Sequence, residues 1–198
     1  MYLSKIVLDK KYAARPYQWH RVLWTLFPER PDAQRDFLFR MESRSPKGDA
    51  LFLMQSTILP HSSADAEVMA AKAFSPRLSE GMPLRFKLRA NPVKTIRDAG
   101  GRLNGKGEIK HCRVPLIDPD QQIAWLQRKL ATAAELTDVI AVAEPPLWFS
   151  KKGTGSGKIS PILFEGALLL KDAQQLNGLL KEGIGAAKSF GCGMLSIG

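Results

Sequence analysis

The order in which helical and strand-like periodicities follow one another constrains the fold of this chain more than any other feature. In the first half, four segments have the apolar runs or the alternation of strands, and two have the 3.6-residue spacing of amphipathic helices. The predicted strands are 3–8, 36–43, 50–57 and 83–90, and the predicted helices are 16–27 and 62–72. The resulting order, β-α-β-β-α-β, is that of a ferredoxin-like domain.

The second half repeats the pattern after a hairpin-like segment at 102–117. Asp118 or Asp120 can cap its first helix, Asp172 and Gln175 form a capping box on its second, and Gly183 is a typical helix stop. The predicted elements are a helix at 118–136, strands at 138–149 and 158–170, a helix at 172–183 and a strand at 189–197. The order is again β-α-β-β-α-β if one more strand lies between 85 and 117.

We therefore predict an α+β protein of two tandem ferredoxin-like (RRM-like) domains. Residues 1–92 would form the first domain and carry the helix that begins at Pro16. Residues 93–198 would form the second, with a basic hairpin and a glycine-rich loop.

Charge points to a polyanionic partner. The chain carries a formal net charge of +10, and nine basic residues stand against two acids between Arg85 and Arg113. The segment SKKGTGSGKIS adds Lys151, Lys152 and Lys158 without an acid. Clustered cations of this kind release counterions from nucleic-acid phosphates. A solvated basic surface without such a partner would have the same composition, so charge alone leaves both interpretations open.

Several classes of protein are not indicated. No run of about 18 apolar residues occurs, so we expect no membrane partner. Cys112 and Cys192 are too few and too far apart for a disulfide framework, which indicates a reducing, cytoplasmic setting. HxxxH and CxxC patterns do not occur and the acidic residues are scattered, so we expect no metal site and no cofactor. A nuclease would then have to work without metal, which favours RNA because its 2′-hydroxyl can act as an internal nucleophile.

His20 is the histidine with the most informative position. On a helical wheel its helix buries one stripe, formed by Trp19, Val22, Leu23, Leu26 and Phe27. His20 falls beside that stripe, on an edge shared with Tyr17 and Arg21. Such a histidine is commonly structural or simply exposed. It can also act as a general acid or base, with a tyrosine one turn away to orient the substrate.

The ending KEGIGAAKSFGCGMLSIG has five glycines in residues 181–198. These glycines follow a helix and enter a strand, so they are not a dinucleotide-binding fingerprint, which opens a helix. A phosphate-binding loop and a structural turn both remain possible.

Beyond these patterns, segments along the whole chain resemble one protein family. They are MYLSKIVL, YQWHRVLWTLFP with ERPDAQRDFLFR, LRFKLRANPVKTI, KHCRVPL, IAWLQRKL, SGKI, FEG and GIGAAKSFGCGMLSI. Together they are similar to the CasE family, the CRISPR precursor-RNA endoribonucleases of the type I-E Cascade complex. The resemblance implies two ferredoxin-like domains, metal-independent cleavage of the repeat hairpin, retention of the mature guide RNA, and other Cascade subunits as partners.

The resemblance also assigns residues. His20 matches the catalytic histidine of the family and Tyr17 its neighbouring tyrosine, and the glycine-rich ending matches a loop beside the RNA. We expect RNA contacts along the basic hairpin, the lysine-rich loop and this ending, with Ser156 and Gly157 included for loop geometry. The predicted RNA-binding residues are Arg21, Arg89, Lys94, Arg102, Lys106, Lys110, His111, Arg113, Lys151, Lys152, Ser156, Gly157, Lys158, Gly183, Gly185, Lys188, Gly191 and Gly193.

Two other functions fit parts of the sequence. A non-catalytic RNA-binding scaffold would share the charge and the fold but would never produce a cyclic phosphate end. A small ferredoxin-like phosphatase would explain the glycine loop but would leave the basic stretch without a role.

Overall fold

The computed structural model describes residues 1–29, 36–151 and 155–198, and at positions 151 and 155 it describes the backbone alone. The strands are β1 (Tyr2–Leu8), β2 (Phe37–Arg44), β3 (Ala50–Ser56), β4 (Ala66–Ala73), β5 (Pro83–Ala90), β6 (Val93–Arg97), β7 (His111–Pro115), β8 (Ala134–Ala143), β9 (Leu147–Lys151), β10 (Gly155–Ile159), β11 (Ile162–Leu170) and β12 (Leu195–Ile197). The helices are α1 (Lys10–Ala13), α2 (Pro16–Trp24), α3 (Pro119–Leu130) and α4 (Ala173–Glu182), and a 3₁₀ turn covers Lys188–Phe190.

The first sheet has the strand order β2-β3-β1-β4, and every neighbouring pair is antiparallel. This is the strand order of a ferredoxin-like domain, in which β1 and β3 are central. Helix α2 covers one face of the sheet, and its predicted apolar stripe is confirmed, since all five residues from Trp19 to Phe27 that form it are buried. They pack against Ile6, Phe37 and Phe52 in a single core.

The second sheet has the order β12-β5-β11-β8, again with antiparallel neighbours. Here β5, β8, β11 and β12 occupy the four ferredoxin-like positions, and α3 and α4 lie between them in sequence. The predicted caps are present, because Asp118 accepts a hydrogen bond from the Gln121 amide and Asp172 from those of Gln174 and Gln175. Trp125, Leu126, Leu176 and Leu180 bury their side chains against this sheet in a second core. The predicted α+β class with ferredoxin-like sheets is confirmed.

The helix predicted at 62–72 is wrong, because this segment contains strand β4. Alanine favours helix in isolation, but β4 pairs along β1 from Tyr2↔Ala73 to Leu8↔Ala66, and the ladder of backbone hydrogen bonds overrides that preference. Residues 57–65, all described, cross to β4 without a helix. Among the described residues of the first domain, α2 is therefore the one long helix, where the pattern predicted two.

The strand predicted at 83–90 exists as β5 but lies in the second sheet, between β12 and β11. It is the additional strand that the second pattern required. Because β4 ends at Ala73 and β5 begins at Pro83, the chain passes from one sheet to the other between them. We therefore propose a domain boundary in this interval, in place of residue 92.

Prolines divide two segments that were predicted as single strands. Pro145 and Pro146 separate β8 from β9, and Pro161 separates β10 from β11, since proline cannot donate a ladder hydrogen bond. The freed segments form a separate two-stranded hairpin, β9–β10. Helix α3 also ends earlier than predicted, at Leu130, and the final strand is shorter, because 189–194 form the 3₁₀ turn and the loop that follows it.

The two domains are joined by buried polar contacts as well as by the chain. The Arg40 guanidinium of β2 donates from Nη1 to the Lys87 carbonyl of β5 at 3.2 Å. The Gln55 amide of β3 donates to the carbonyl of Leu180 on α4 at 2.6 Å. These bonds fix one domain relative to the other. Within the described residues, every helix is too short or too polar to span a membrane.

Candidate active site

Helix α2 presents Tyr17 and His20 where the two domains meet. Pro16 occupies the first helical turn, where its missing N–H costs nothing, so the helix begins immediately before Tyr17. Because Trp19 and Leu23 are buried, residues 17 and 20 lie together on the more exposed side of the helix. The Tyr17 ring is 52% exposed, and the His20 ring is half-buried.

Aromatic packing holds the His20 ring. It stacks on Phe37 at the start of β2, with ring centroids 5.5 Å apart and planes 24° from parallel, and it lies 6.1 Å from Trp24 one turn along the helix. Phe37 itself is buried in the first core. A half-buried imidazole supported in this way has few rotamers available, which suits a proton-transfer group.

Tyr17 belongs to a cluster of three rings from three elements, Tyr17, Phe149 and Phe190, which we call the aromatic cluster. The Tyr17 ring stacks on Phe149 of β9 at 5.9 Å and 10°, and contacts Phe190 of the 3₁₀ turn at 6.3 Å. Phe149 and Phe190 lie 4.7 Å apart. The cluster connects the helix of the first domain to the hairpin and the terminal loop of the second.

Gly157 allows the Phe149 ring to reach this position. The two residues face each other across the β9–β10 hairpin. A β-carbon at position 157 would lie 2.3 Å from Cζ of Phe149, far inside van der Waals contact. The ring therefore lies over the glycine, as rings do in cross-strand aromatic–glycine pairs. This gives Gly157 a role in supporting Tyr17.

Arg89 holds the terminal loop against the domain. Its side chain is 3% exposed and forms an ion pair with Glu144, which follows β8. Its Nη1 donates to the carbonyl of Phe190 at 3.0 Å, and its own carbonyl accepts from the Gly193 amide at 2.7 Å. Arg89 thus fixes the backbone that carries Phe190. Because it is buried, we do not keep it in the proposed RNA surface.

The glycines of this loop serve close packing within the protein. Gly183 and Gly193 both have positive φ, and a β-carbon on either would come within 2.9 Å of a backbone carbonyl, that of Gly193 or of Ile184. A β-carbon at Gly185 would meet Trp125, and one at Gly191 would meet Phe39. Of the two interpretations that the sequence left open, these contacts favour the structural turn. The Lys188 ammonium donates to the carbonyl of Glu182, across the same loop.

The basic hairpin is an exposed ribbon formed by β6 and β7. Its register places Thr95 opposite Arg113 and Arg97 opposite His111, so these four residues share one face. Lys94, Lys106 and Lys110 are also exposed. Arg97 belongs to this face but was not among the predicted binding residues, although the period-two pattern could have identified it.

An ion pair shapes the turn of this hairpin. Asp98 accepts hydrogen bonds from Nε and Nη2 of Arg102, at 3.0 and 2.6 Å, and from the Arg102 amide. The side-chain hydrogen bond from Arg102, followed by the one from its amide, lowers the pKa of Asp98 below its ordinary value of 3.8, and the same pairing raises the pKa of Arg102. Arg102 is therefore exposed but already paired with a carboxylate.

The remaining predicted residues divide into two groups. Arg21, Ser156 and Lys158 are exposed, and the Lys158 ammonium lies 5.2 Å from the centroid of the Trp148 ring. The backbone at Lys151 ends β9, and Lys152 lies outside the described residues. Sequence reasoning missed Phe149, Phe190 and Glu144, because their roles arise from contacts between distant segments.

Comparisons with known proteins agree with this geometry. A family model described as CRISPR associated protein matches residues 1–198. The chain is 51% identical over 197 residues to the CRISPR system Cascade subunit CasE of Escherichia coli strain K12, covering 100% of this chain and 98% of that protein. The crystal structure of the CRISPR-associated protein Cas6e from E. coli K-12 matches with a TM-score of 0.87 and 48% identity, covering 100% and 98% of the two chains. A structure of the CRISPR endoribonuclease Cse3 bound to 19 nt RNA matches with a TM-score of 0.80 and 30% identity, over 100% of both chains.

The family match and the fold, with its two ferredoxin-like sheets, thus place the chain among CRISPR-associated proteins. It belongs to the CRISPR associated protein family matched over its full length, which is also the family of the Cascade subunit CasE. The resemblance identified from the sequence is confirmed.

Proposed function

We propose that the chain is an endoribonuclease that binds the stem-loop of CRISPR repeat RNA, cleaves the precursor without a metal ion, and stays with the mature guide RNA as a Cascade subunit. One observation carries the proposal. The exposed Tyr17 and the half-buried His20 lie one turn apart on the same edge of one helix, in a chain related over its whole length to an endoribonuclease solved with RNA.

The chemistry requires two proton transfers. The 2′-hydroxyl next to the scissile phosphate attacks phosphorus, the bond to the 5′-oxygen breaks, and the products are a 2′,3′-cyclic phosphate and a 5′-hydroxyl. An imidazole can remove the first proton or supply the second. We assign one transfer to His20 and the complementary or orienting role to Tyr17, held in place by the aromatic cluster.

Basic side chains stabilise the developing charge and bind the RNA stem. Lys158 is exposed on the hairpin whose strand β9 supports Tyr17, so we assign it to the additional negative charge of the transition state. Lys94, Lys106, Lys110 and Arg113 would contact stem phosphates, whose number sets the salt dependence of binding. Cleavage beside the stem would leave these contacts intact and retain the product.

The test is the His20→Ala variant with repeat hairpin RNA. We expect cleavage to fall by about 10²–10⁴-fold, the usual contribution of a general acid or base, with RNA affinity nearly unchanged. Tyr17→Phe, which keeps the ring, is the matched variant and isolates the hydroxyl. A His20→Ala protein that cleaves at the wild-type rate would remove His20 from the mechanism.

Two further measurements test the chemistry. A single deoxyribose at the nucleotide that supplies the 2′-hydroxyl should abolish cleavage, and wild-type activity should persist in EDTA. If the RNA binds but is never cut and no cyclic phosphate end forms, the chain is a binding scaffold.

A further inference from the structure

A cleft of about 490 Å³ opens beside Tyr17, between the two domains. Pro16, Met41 and Arg44 of the first domain line one side, and Pro146 and Trp148 of the second line the other. The volume lies within the range of small-molecule sites. Its lining is mostly apolar and includes the guanidinium groups of Arg44 and Arg89. No step proposed above uses this cleft.

Trp148 is the most unusual residue of this cleft. Its indole is 64% exposed, although a ring of this size is normally buried, and it points to the opposite side of β9 from its neighbour Phe149. Lys158 lies opposite Trp148 in the hairpin register, and its ammonium stands 5.2 Å from the ring centroid. An exposed ring beside a lysine is the combination by which proteins hold unpaired nucleotides, with the base on the ring and the cation on the phosphate.

On each wall of the cleft, a residue that lines it directly precedes in sequence a residue of the candidate site. On the first wall Pro16 lines the cleft and the next residue is Tyr17; on the second, Trp148 lines it and the next residue is Phe149, which stacks on Tyr17. Consecutive α-carbons are about 3.8 Å apart. The cleft and the candidate catalytic residues therefore adjoin along the backbone, with the Trp148 ring and the Phe149–Tyr17 stack on opposite sides of β9, so the nucleotide next to a phosphate held at Tyr17 and His20 would pass around β9 to reach the Trp148 ring.

The floor of the cleft is polar and preformed. The buried Arg89 and the partly exposed Glu144 line it as an ion pair, and Arg44 donates from Nη2 to the carbonyl of Ala13 at 3.0 Å while its side chain remains exposed. Apolar walls with a few polar groups at the base are typical of sites for flat heterocycles.

We propose that this cleft binds one unpaired nucleobase of the substrate RNA, adjacent to the scissile phosphate and stacked on Trp148. The inference rests on the proposed function and adds to it a subsite for single-stranded RNA beside the stem-binding surface. Specificity would then include the nucleotide next to the cut as well as the hairpin.

The experiment removes the base and the ring separately. Repeat hairpin RNAs carry a single abasic nucleotide at each unpaired position on either side of the scissile phosphate, which keeps every phosphate and removes one base. A deoxyribose at the cleavage site prevents cutting during the binding measurement. For wild-type protein we expect one position at which base removal weakens binding by about 5–100-fold, the usual worth of one base–aromatic stack. The ratio of the dissociation constants for abasic and intact RNA should fall below about twofold in Trp148→Ala, and Trp148→Phe should retain most of the wild-type ratio.

Ile140→Ala is the matched control, because Ile140 is 62% exposed on β8 and does not line the cleft. It should keep the wild-type ratio, and melting temperatures verify that every variant is folded. An equal loss of affinity for intact and abasic RNA in Trp148→Ala would overturn the proposal, since the indole would then act without touching a base. A base-removal penalty that is absent in wild-type protein, or that is unchanged in Trp148→Ala, would also overturn it. A Trp148→Ala protein that treats RNA normally but fails to join other Cascade subunits would make the cleft a protein-docking surface instead.

The proposed function is monitored separately, by cleavage of the all-ribose hairpin. If wild-type protein cleaves it and the ratio does not depend on Trp148, the endoribonuclease proposal stands and the subsite does not. If wild-type protein neither binds nor cleaves it, both are wrong.

Discussion

Replacing Gly157 with alanine tests whether the aromatic cluster positions Tyr17. The added β-carbon would lie 2.3 Å from Cζ of Phe149 and 2.8 Å from both ε carbons. Restoring ordinary van der Waals distance requires the ring to retreat by about 1 Å, and its stack on Tyr17 and its contact with Phe190 then loosen together. Aromatic pairs contribute about 0.5–1.5 kcal/mol each beyond their buried area, so we expect a stability loss of about 1–3 kcal/mol.

The effect on cleavage should exceed what this loss of stability explains. A misplacement of about 1 Å at a catalytic group can cost about 10²-fold, so we expect the single-turnover cleavage rate at saturating protein to fall by roughly 10–100-fold. RNA affinity should change much less, because the stem contacts that we propose lie on the β6–β7 hairpin. The assay combines single-turnover cleavage, RNA binding and thermal unfolding.

Gly178→Ala is the matched glycine substitution, because Gly178 lies within α4 and a β-carbon there meets nothing within 4 Å. It should leave cleavage unchanged and stabilise the protein by up to about 1 kcal/mol through helix propensity. Adding Phe149→Leu to Gly157→Ala should remove the clash and recover stability, but not cleavage, because the ring that stacks on Tyr17 is then missing. A Gly157→Ala protein with wild-type cleavage and melting temperature would refute the reasoning. Full recovery of cleavage in the double variant would show that the ring itself is dispensable.

Two more predictions concern the loop clamp and the basic hairpin. Burial raises the pKa of the Cys192 thiol to about 11, so an aromatic disulfide reagent should modify only Cys112 in the native protein at neutral pH. The Arg89→Gln substitution should release the terminal loop and expose Cys192 to the reagent. Fast modification of both thiols in wild-type protein would contradict this prediction. Since the Arg102 hydrogen bonds lower the pKa of Asp98, they should stabilise the turn fully above the ordinary carboxyl pKa, and this stabilisation should disappear only as the pH falls through the lowered pKa. In an NMR titration the Arg102 Nε–H should therefore stay protected from exchange at pH 5. The Asp98→Asn substitution should remove this pH dependence.

Much of the first helix and its surroundings follows from local sequence. Pro16 sets the helix start, the spacing from Trp19 to Phe27 sets its buried stripe, and both are determined by residues within two turns of one another. The caps at Asp118 and Asp172 were predictable for the same reason. The partly exposed edge that carries Tyr17 and His20 could therefore be predicted without any knowledge of the rest of the chain.

Where the prediction failed, tertiary contacts outweighed local preference. Segment 66–73 is rich in alanine, yet it forms β4 because β1 would otherwise leave an edge of unpaired amides and carbonyls. Strand β5 was recognised as a strand, but nothing in its alternation of apolar and basic residues states which sheet it joins.

The support of the candidate site has the same origin. Phe149, Phe190 and Arg89 come from three separated segments, and each has an ordinary local explanation: an aromatic in a strand, an aromatic beside glycine and a basic residue in a basic stretch. Arg89 looked like an RNA contact because its neighbours are cationic, and only the burial of its side chain against Glu144 separates it from them. Sequence thus located the candidate catalytic pair, whereas the groups that hold it in place became visible only in the folded chain.

The glycine-dense ending connects both kinds of information. This short segment has two tasks within eight residues. It places the Phe190 ring against Tyr17 of the first domain, and it then forms β12, which completes the second sheet. The backbone must reverse tightly between them, and the carbonyls of Ile184 and Gly193 occupy the space that side chains would need. Glycine at 183 and 193 satisfies both demands through positive φ and close backbone approach. The flexible residue type is therefore used here to build a rigid support, and larger residues at these positions should impair Tyr17 before they impair any direct contact with RNA.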